Sequence, residues 1–410
     1  MTFAAPLKLY CQVMHYPWGK RGADSLIFNL AAANQRDFKL PMAEFWIGTH
    51  TNAPATVKLG EQLSPLDELI KNHPSEMLGN DVYEQFGPQM PFLLKVLSIA
   101  EPLSIQAHPN KQQAEELHRS DPANYPDANH KPEIAIAISR VEMLLGFKPL
   151  DNLISSFRQV PELRELVEYS LLEQLYLLKG NPLRARPVVE RVYLDLVSSN
   201  SETIAVCSQK LFNRLKTKGQ LSPQEVWILS LENRYGRGDI GLFHFFLLNL
   251  VTLQPGEAVF VAPKTVHAYL SGDLVECMAN SDNVVRVGLT NKFRDVRSLA
   301  SIVDYHLGYN NAVSIRRDYS SPDLGTYQAP VAEFLVHALC CSEARVEIPR
   351  SECFELLFSL DTKAMVTSFL WSIELKPGEA YFVPATAMHH GYAIEPTDGR
   401  LFRIEVPLNY

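Results

Sequence analysis

The sequence predicts a mainly β protein with an α insertion: two related β-barrel or jelly-roll units plus a helical domain. Three observations carry that prediction. The segment Leu253-Gln-Pro-Gly-Glu-Ala-Val-Phe-Val-Ala-Pro-Lys-Thr-Val-His267 is echoed by Leu375-Lys-Pro-Gly-Glu-Ala-Tyr-Phe-Val-Pro-Ala-Thr-Ala-Met-His389, at a constant offset of 122 residues. Each copy reads as a Pro-Gly turn, an alternating β run and a loop that delivers a histidine, and a repeated unit of that kind suits paired barrels or jelly rolls. β signals also cluster over 41–57, 91–145, 251–290 and 333–406, while the block 150–237 between them lacks long β-branched runs and favours helix.

Taken in order, residues 1–149 and 238–305 are expected to form one β unit, 150–237 a helical insertion and 306–410 a second β unit. Within the first unit, Ser64-Pro-Leu-Asp67 reads as a helix start, and Asn110 as the cap of a helix running through His118. Leu163 to Leu178 reads as helix, and Ser222-Pro-Gln-Glu225 is a capping box with proline at the first helical position. No low-complexity stretch or long linker interrupts the chain.

At 410 residues the chain has room for two or three domains of roughly 100–200 residues each. Its 38 basic and 46 acidic residues leave a formal charge of −8, which argues against nucleic acid as the main partner. The most apolar stretch, Gly241 to Leu253, falls far short of the ~20 residues a membrane span needs and is broken by His244 and Asn249. No secretory signal is visible between Met1 and Lys20. Six scattered cysteines without a CxxC pair read as reduced thiols. The expectation is a cytoplasmic protein without membrane partners.

Strand alternation then picks out the chemistry, because residues i and i+2 share a face. In Leu103-Ser-Ile-Gln-Ala-His108, Ser104, Gln106 and His108 fall together. In Glu133-Ile-Ala-Ile-Ala-Ile138, Glu133 shares a face with Ala135 and Ala137, opposite three isoleucines. Thr265, His267 and Tyr269 form a third set, Leu274, Glu276 and Met278 a fourth, and Arg286 stands among valines. Any one of these side chains alone reads more readily as a hydrogen-bonded structural residue. Gln106, His108, Glu133 and His267 together make a four-ligand set whose imidazole and oxygen donors suit Zn²⁺ best among common metals. His389 and His390 lack an upstream partner of the Gln106-x-His108 kind and read as structural. One carboxylate against Zn²⁺ leaves a local charge of about +1, suited to a developing oxyanion. Lys95, Lys131, Arg286 and Lys292 would add the cations a phosphate dianion needs. Neither a GxxxxGK[ST] loop nor a GxGxxG is present, which disfavours nucleotide cofactors.

At these residues the sequence resembles the type I, zinc-dependent, cupin-like mannose-6-phosphate isomerase (phosphomannose isomerase) family. The resemblance is carried by Tyr16-Pro-Trp-Gly19, Ala43-Glu-Phe-Trp46, Ser104-Ile-Gln-Ala-His-Pro109, His130-Lys-Pro-Glu133, His267-Ala-Tyr-Leu-Ser-Gly-Asp273, Val275-Glu-Cys-Met278, Ser281-Asp-Asn-Val-Val-Arg286 and Gly288-Leu-Thr-Asn-Lys292. It spans essentially the whole chain. It implies two cupin-like units, a monomer, one Zn²⁺ held by Gln106, His108, Glu133 and His267, and a catalytic Arg286. It places Lys131, Glu276, Asp282 and Lys292 in the pocket, the first three as acid/base candidates; Ser104, Lys95 or Lys292 are expected to hold the phosphate, and Tyr269 and Trp18 complete the expected substrate-binding set. The implied reaction interconverts mannose 6-phosphate and fructose 6-phosphate through a cis-enediol(ate), in mannose and GDP-mannose metabolism. Two other readings are open to the sequence. A double-cupin dioxygenase would want three histidines and a carboxylate around iron, which Gln106 opposes. A non-catalytic sugar-phosphate sensor would have no need of a Lewis acid.

Overall fold

Alternating apolar runs build the frame. The structure, a computed structural model, describes residues 3–236, 238–308, 312–315, 325–340 and 345–408. Two sheets dominate: one of eleven strands and one of eight, with a further four-stranded sheet near the C-terminus. Among the described residues, helix and strand shares are 32% and 29%, a sheet-rich frame of several antiparallel sheets with helices. The insertion supplies most of the helical residues among those described.

The two copies of the sequence repeat adopt matching strands, Ala258–Val261 and Ala380–Val383, each preceded by a left-handed glycine, Gly256 (φ +84°) and Gly378 (φ +79°). They sit in different large sheets, Ala258–Val261 in the eleven-stranded one and Ala380–Val383 in the eight-stranded one. Their histidines part company: His267 is fully buried and His389 is exposed.

The large sheets pack through the apolar faces that alternation predicts. Ile134, Ile136, Val275, Cys277, Leu94 and Val96 share one core with Phe354, Phe358, Phe382 and Phe402. Phe92 stacks on Phe354 with ring centres 5.7 Å apart, and Phe354 on Phe382 at 5.1 Å. Truncating one such phenylalanine to alanine costs about 3–5 kcal/mol. The opposite face of the first sheet carries the small Ala135 and Ala137, and these line an inner layer with Leu97, Val261, Tyr269 and Leu274. Small residues there leave room for a cavity.

Two expected unit boundaries are crossed. Leu7–Tyr10 pairs with Ala380–Val383 and with Thr56–Leu59, so the N-terminal strands extend the C-terminal sheet instead of the first one. Ala312–Ile315 pairs with Ala258–Val261 and so joins the first sheet. A short strand advertises an exposed edge and an apolar face but not the sheet it will complete. The expected end of the helical block, Arg237, lies outside the described residues, as does Cys341. Four described cysteines, Cys11, Cys207, Cys277 and Cys353, are free and buried.

Locally, the capping signals hold. Asn110 and Ser222 each close a capping box, on Lys111–Ser120 and Pro223–Ser230. Ser64 instead ends in the strand Gln62–Pro65, and the helix begins at Leu66 with no side-chain cap. Leu163 to Leu178 divides between Pro161–Arg164 and Tyr169–Leu177. No helix among the described residues is long and apolar enough to cross a membrane.

Candidate active site and metal centre

One strand organises the site. His267–Ala279 runs thirteen residues, and its two halves pair with different neighbours. Its first half meets Val141–Phe147 and, at His267, Gln106; its second half lies between Phe92–Ile99 and Glu133–Ala137. Strict alternation would put His267 and Glu276, nine residues apart, on opposite faces. A register shift between Tyr269 and Ser271 adds one residue, which flips the parity and turns both toward the interior. Gly272 follows at φ +112°, where a Cβ would lie 2.5 Å from the Arg140 carbonyl oxygen. Only glycine fits that bend.

Cross-strand register then lines up two rows, because opposite residues share a face. Gln106 stands opposite His267 on one side and Arg286 on the other. Trp46, Lys95, Glu276 and Ala135 form the second row across four strands.

At the floor, His108, Glu133 and His267 are buried with their donor atoms within 4.8 Å of one another. His108 Nδ1–H donates to the Asn283 carbonyl at 2.8 Å, and His267 Nδ1–H to the Thr265 carbonyl at 3.0 Å. Both rings thus aim a bare Nε2 at Glu133, at 3.2 and 3.4 Å from its carboxylate oxygens. His108 Nε2, His267 Nε2 and Glu133 Oε2 nevertheless have no hydrogen-bond partner. Buried polar atoms left so cost about 1–3 kcal/mol each, and a cation at their focus would satisfy all three. The residues fit a metal ion. Burial pushes the His108 pKa down to about 4, so the ring is neutral and its lone pair is free. Burial alone would raise Glu133, but the Lys131 ammonium, 3.1 Å away, holds it well below the usual carboxylate range.

Above the floor lies a cavity of about 400 Å³, within the usual range for a small ligand. Trp18, Lys95, Ser104, Gln106, Lys131, Glu133, Tyr269, Glu276, Asp282, Arg286 and Lys292 all line it. The structure therefore brings every candidate together, with His108 and His267 just beneath.

Lys95 is not a free cation. It lies 3.7 Å from Glu44 and 3.6 Å from Glu276, above the Trp46 ring. Burial favours its neutral form, but the two carboxylates outweigh this and hold it above the normal lysine range. Glu276 is pushed up to about 7, first by burial and then by Glu133, with Lys95 and Lys131 opposing. Asp282 receives Asn52 Nδ2–H at 2.7 Å and faces His50 at 3.2 Å. Burial alone would raise it, yet the His50 contact keeps it low. Ser104 donates to Gln106 Oε1 at 3.3 Å. The Arg286 guanidinium makes no hydrogen bond or ion pair among the described residues, and burial lowers its pKa. Lys292 lies 5.9 Å from the Tyr16 ring centre, and Tyr16 in turn stacks on Trp18.

Sequence reasoning missed several contributors, among them Glu44, Trp46, Asn52, Arg234 and Tyr235. Glu44 and Trp46 alternate on one strand face, a readable signal within Ala43-Glu-Phe-Trp46. Arg234 and Tyr235 reach the cavity from the helical block, and no local motif announces them.

Fold and site together define a class: sheet-framed proteins with a metal-type donor cluster under a cation-rimmed cavity sized for a small anionic ligand. The family model described as phosphomannose isomerase type I, catalytic domain, matches residues 7–150. Mannose-6-phosphate isomerase 2 of Arabidopsis thaliana is 39% identical over 400 residues, covering 93% of this chain and 90% of its own. Mannose-6-phosphate isomerase of Homo sapiens is 34% identical over 427 residues, covering 98% and 99%. A mutant phosphomannose isomerase from Salmonella typhimurium superposes with a TM-score of 0.85 at 28% identity, covering 98% of this chain and all of that one. A mannose 6-phosphate isomerase bound with zinc and yttrium gives 0.83 at 29% identity, with the same coverage. The chain belongs to the type I phosphomannose isomerase family.

Proposed function

We propose that this protein interconverts mannose 6-phosphate and fructose 6-phosphate, with Gln106, His108, Glu133 and His267 holding one Zn²⁺. The observation that carries the reading is the trio of unpartnered buried donor atoms beneath a cavity lined by all the other candidates. Zinc in that place supplies a Lewis acid for the sugar oxygens. The donor cluster fits it, and a family relative carries zinc.

The chain's own residues do the rest. Moving a proton between C2 and C1 through an enediol(ate) needs one group that both takes and returns it. Glu276 is the best-supported carrier, since a buried carboxyl held near neutrality matches that task. Lys131 is engaged by Glu133, and Asp282 by Asn52 and His50. Arg286 offers unengaged donors to the charge that develops on the sugar oxygens. Ser104 and Lys292 receive the phosphate, while Lys95, held between two glutamates, keeps the cavity's internal charge balanced. Trp18 and Tyr269 supply apolar walls. We further infer that the two large sheets belong to cupin-type jelly rolls that exchange strands at their ends, Leu7–Tyr10 into the eight-stranded sheet and Ala312–Ile315 into the eleven-stranded one, with the helical block inserted between residues 150 and 238.

The test is fructose 6-phosphate formation from mannose 6-phosphate before and after chelation, with zinc added back. Activity lost to the chelator and restored by zinc is expected. A zinc-loaded protein with no turnover overturns the proposal and favours a sugar-phosphate sensor.

A further inference from the structure

The segment carrying Arg286 and Lys292 is held from outside its own sheet. After the strand Val285–Gly288 the chain turns at Leu289, which sits at φ +52°. A non-glycine residue adopts that left-handed conformation only where its surroundings over-determine it. Here they do. The Leu289 N–H donates to Asp239 Oδ1 at 2.8 Å, and the Tyr235 hydroxyl donates to the Leu289 carbonyl at 2.8 Å. Both backbone polar groups of the strained residue are therefore taken by the stretch where the helical block returns to the first sheet. Asp239 Oδ1 also accepts from the Gly241 N–H at 2.7 Å, closing its own turn. Gly241 and Gly288 lie back to back: a Cβ on Gly288 would come within 2.5 Å of Gly241 Cα, and one on Gly241 within 2.6 Å of the Leu289 nitrogen. The Leu289 side chain is buried in the helical core.

What this turn carries matters more than the turn itself. Arg286 precedes Leu289 by three residues and Lys292 follows it by three. Neither side chain is anchored by a hydrogen bond or ion pair among the described residues. Their placement at the cavity rim is set by backbone: Arg286 by its strand pairing with Gln106 and by the turn at Leu289, Lys292 by that turn, which Asp239 and Tyr235 hold.

We propose that Asp239 and Tyr235 are positioning residues: by clamping Leu289 in its left-handed conformation they place Arg286 and Lys292 for the substrate's anionic and developing-oxyanion groups. The helical insertion thereby takes part in the reaction without touching the reacting atoms. This rests on the isomerase reading above.

The experiment compares zinc-loaded full-length wild type with Asp239→Ala, Asp239→Asn and Tyr235→Phe. The readouts are zinc per chain, kcat and KM for mannose 6-phosphate, and calorimetric affinity for inorganic phosphate. Misplacing a substrate clamp by about 1 Å can remove about 10²-fold in rate. Asp239→Ala should lose kcat/KM on that scale, with a raised KM and weaker phosphate binding, at unchanged zinc content. Asp239→Asn keeps an acceptor oxygen and should recover most of the loss, and Tyr235→Phe should move the same way by less. A merely structural role would lower the folded, zinc-loaded fraction and leave KM where it was. The proposal is overturned if folded Asp239→Ala keeps wild-type KM and phosphate affinity, or if asparagine fails to rescue. Should Asp239→Ala not fold, Tyr235→Phe with wild-type KM overturns it equally. Wild type without turnover would sink the isomerase reading instead, and phosphate affinity across the variants would still judge the clamp.

Discussion

Replacing His267 with alanine tests the metal centre most directly. His267 is fully buried, its Nδ1–H is engaged by the Thr265 carbonyl, and its Nε2 is one of three unpartnered atoms converging on a point. Apparent zinc binding of roughly 10–16 kcal/mol, shared over the four proposed donors, assigns about 2.5–4 kcal/mol to each. Losing one donor should therefore weaken binding by about 10²–10³-fold. Zinc per chain after dialysis against a competing chelator reads this directly, and turnover should fall with it. His389→Ala is the matched control, because the second repeat delivers its histidine to solvent and not to a donor cluster. His267→Ala protein that keeps one zinc at wild-type affinity and full turnover would refute the reasoning, and so would equal losses in His389→Ala.

Three further outcomes follow from the same geometry. Among Glu276→Gln, Asp282→Asn and Lys131→Met, the first should cost most in kcat, on the order of 10²–10⁴-fold, and three rates near wild type would end the proton-transfer scheme. His244 is buried in the helical core, its Nδ1–H on the Ile240 carbonyl, and burial lowers its pKa to about 4. The unfolded chain then binds more protons below pH 6.5, so this stability is complete above that pH and lost as pH falls toward 4. At pH 5 the loss is about 2 kcal/mol; denaturant titrations at pH 7.5 and 5 should show His244→Gln with a correspondingly flatter dependence, and an unchanged slope would contradict it. In the C-terminal sheet, buried Arg403 is bonded to Glu355 and Glu405, and the Tyr392 hydroxyl donates to Glu355. Arg403→Met leaves the buried Glu355 carboxylate without its cation and should destabilise by about 3–5 kcal/mol, part of which Glu355→Gln should restore; additive losses in the double variant would argue against coupling.

Much of the candidate site is legible in the sequence, because its signals are local. Alternation placed Gln106 with His108, and Glu133 with two alanines, since side-chain parity along a strand is a property of the strand alone. The caps at Asn110 and Ser222 and the paired Pro-Gly turns are equally local, being backbone hydrogen-bond and φ requirements met within four residues. Motif resemblance then joined residues far apart in sequence into one set.

Three features lay beyond that reach. The sheet that Leu7–Tyr10 completes is settled by which edge remains open after everything else has packed. The role of Lys95 changed once Glu44 and Glu276 were found on either side of it, a partnership made by register across three strands. The parity flip at Tyr269–Ser271 and the left-handed Leu289 leave no compositional trace, for both are imposed by distant backbone: the neighbouring strand in one case, Asp239 and Tyr235 in the other. Residue type and strand parity, both readable along the chain, mark the candidate residues and the face of its own strand on which each lies. The tertiary structure alone decided that those faces turn toward one cavity, because register, bulges and non-local hydrogen bonds are properties of pairs of segments and not of either segment alone.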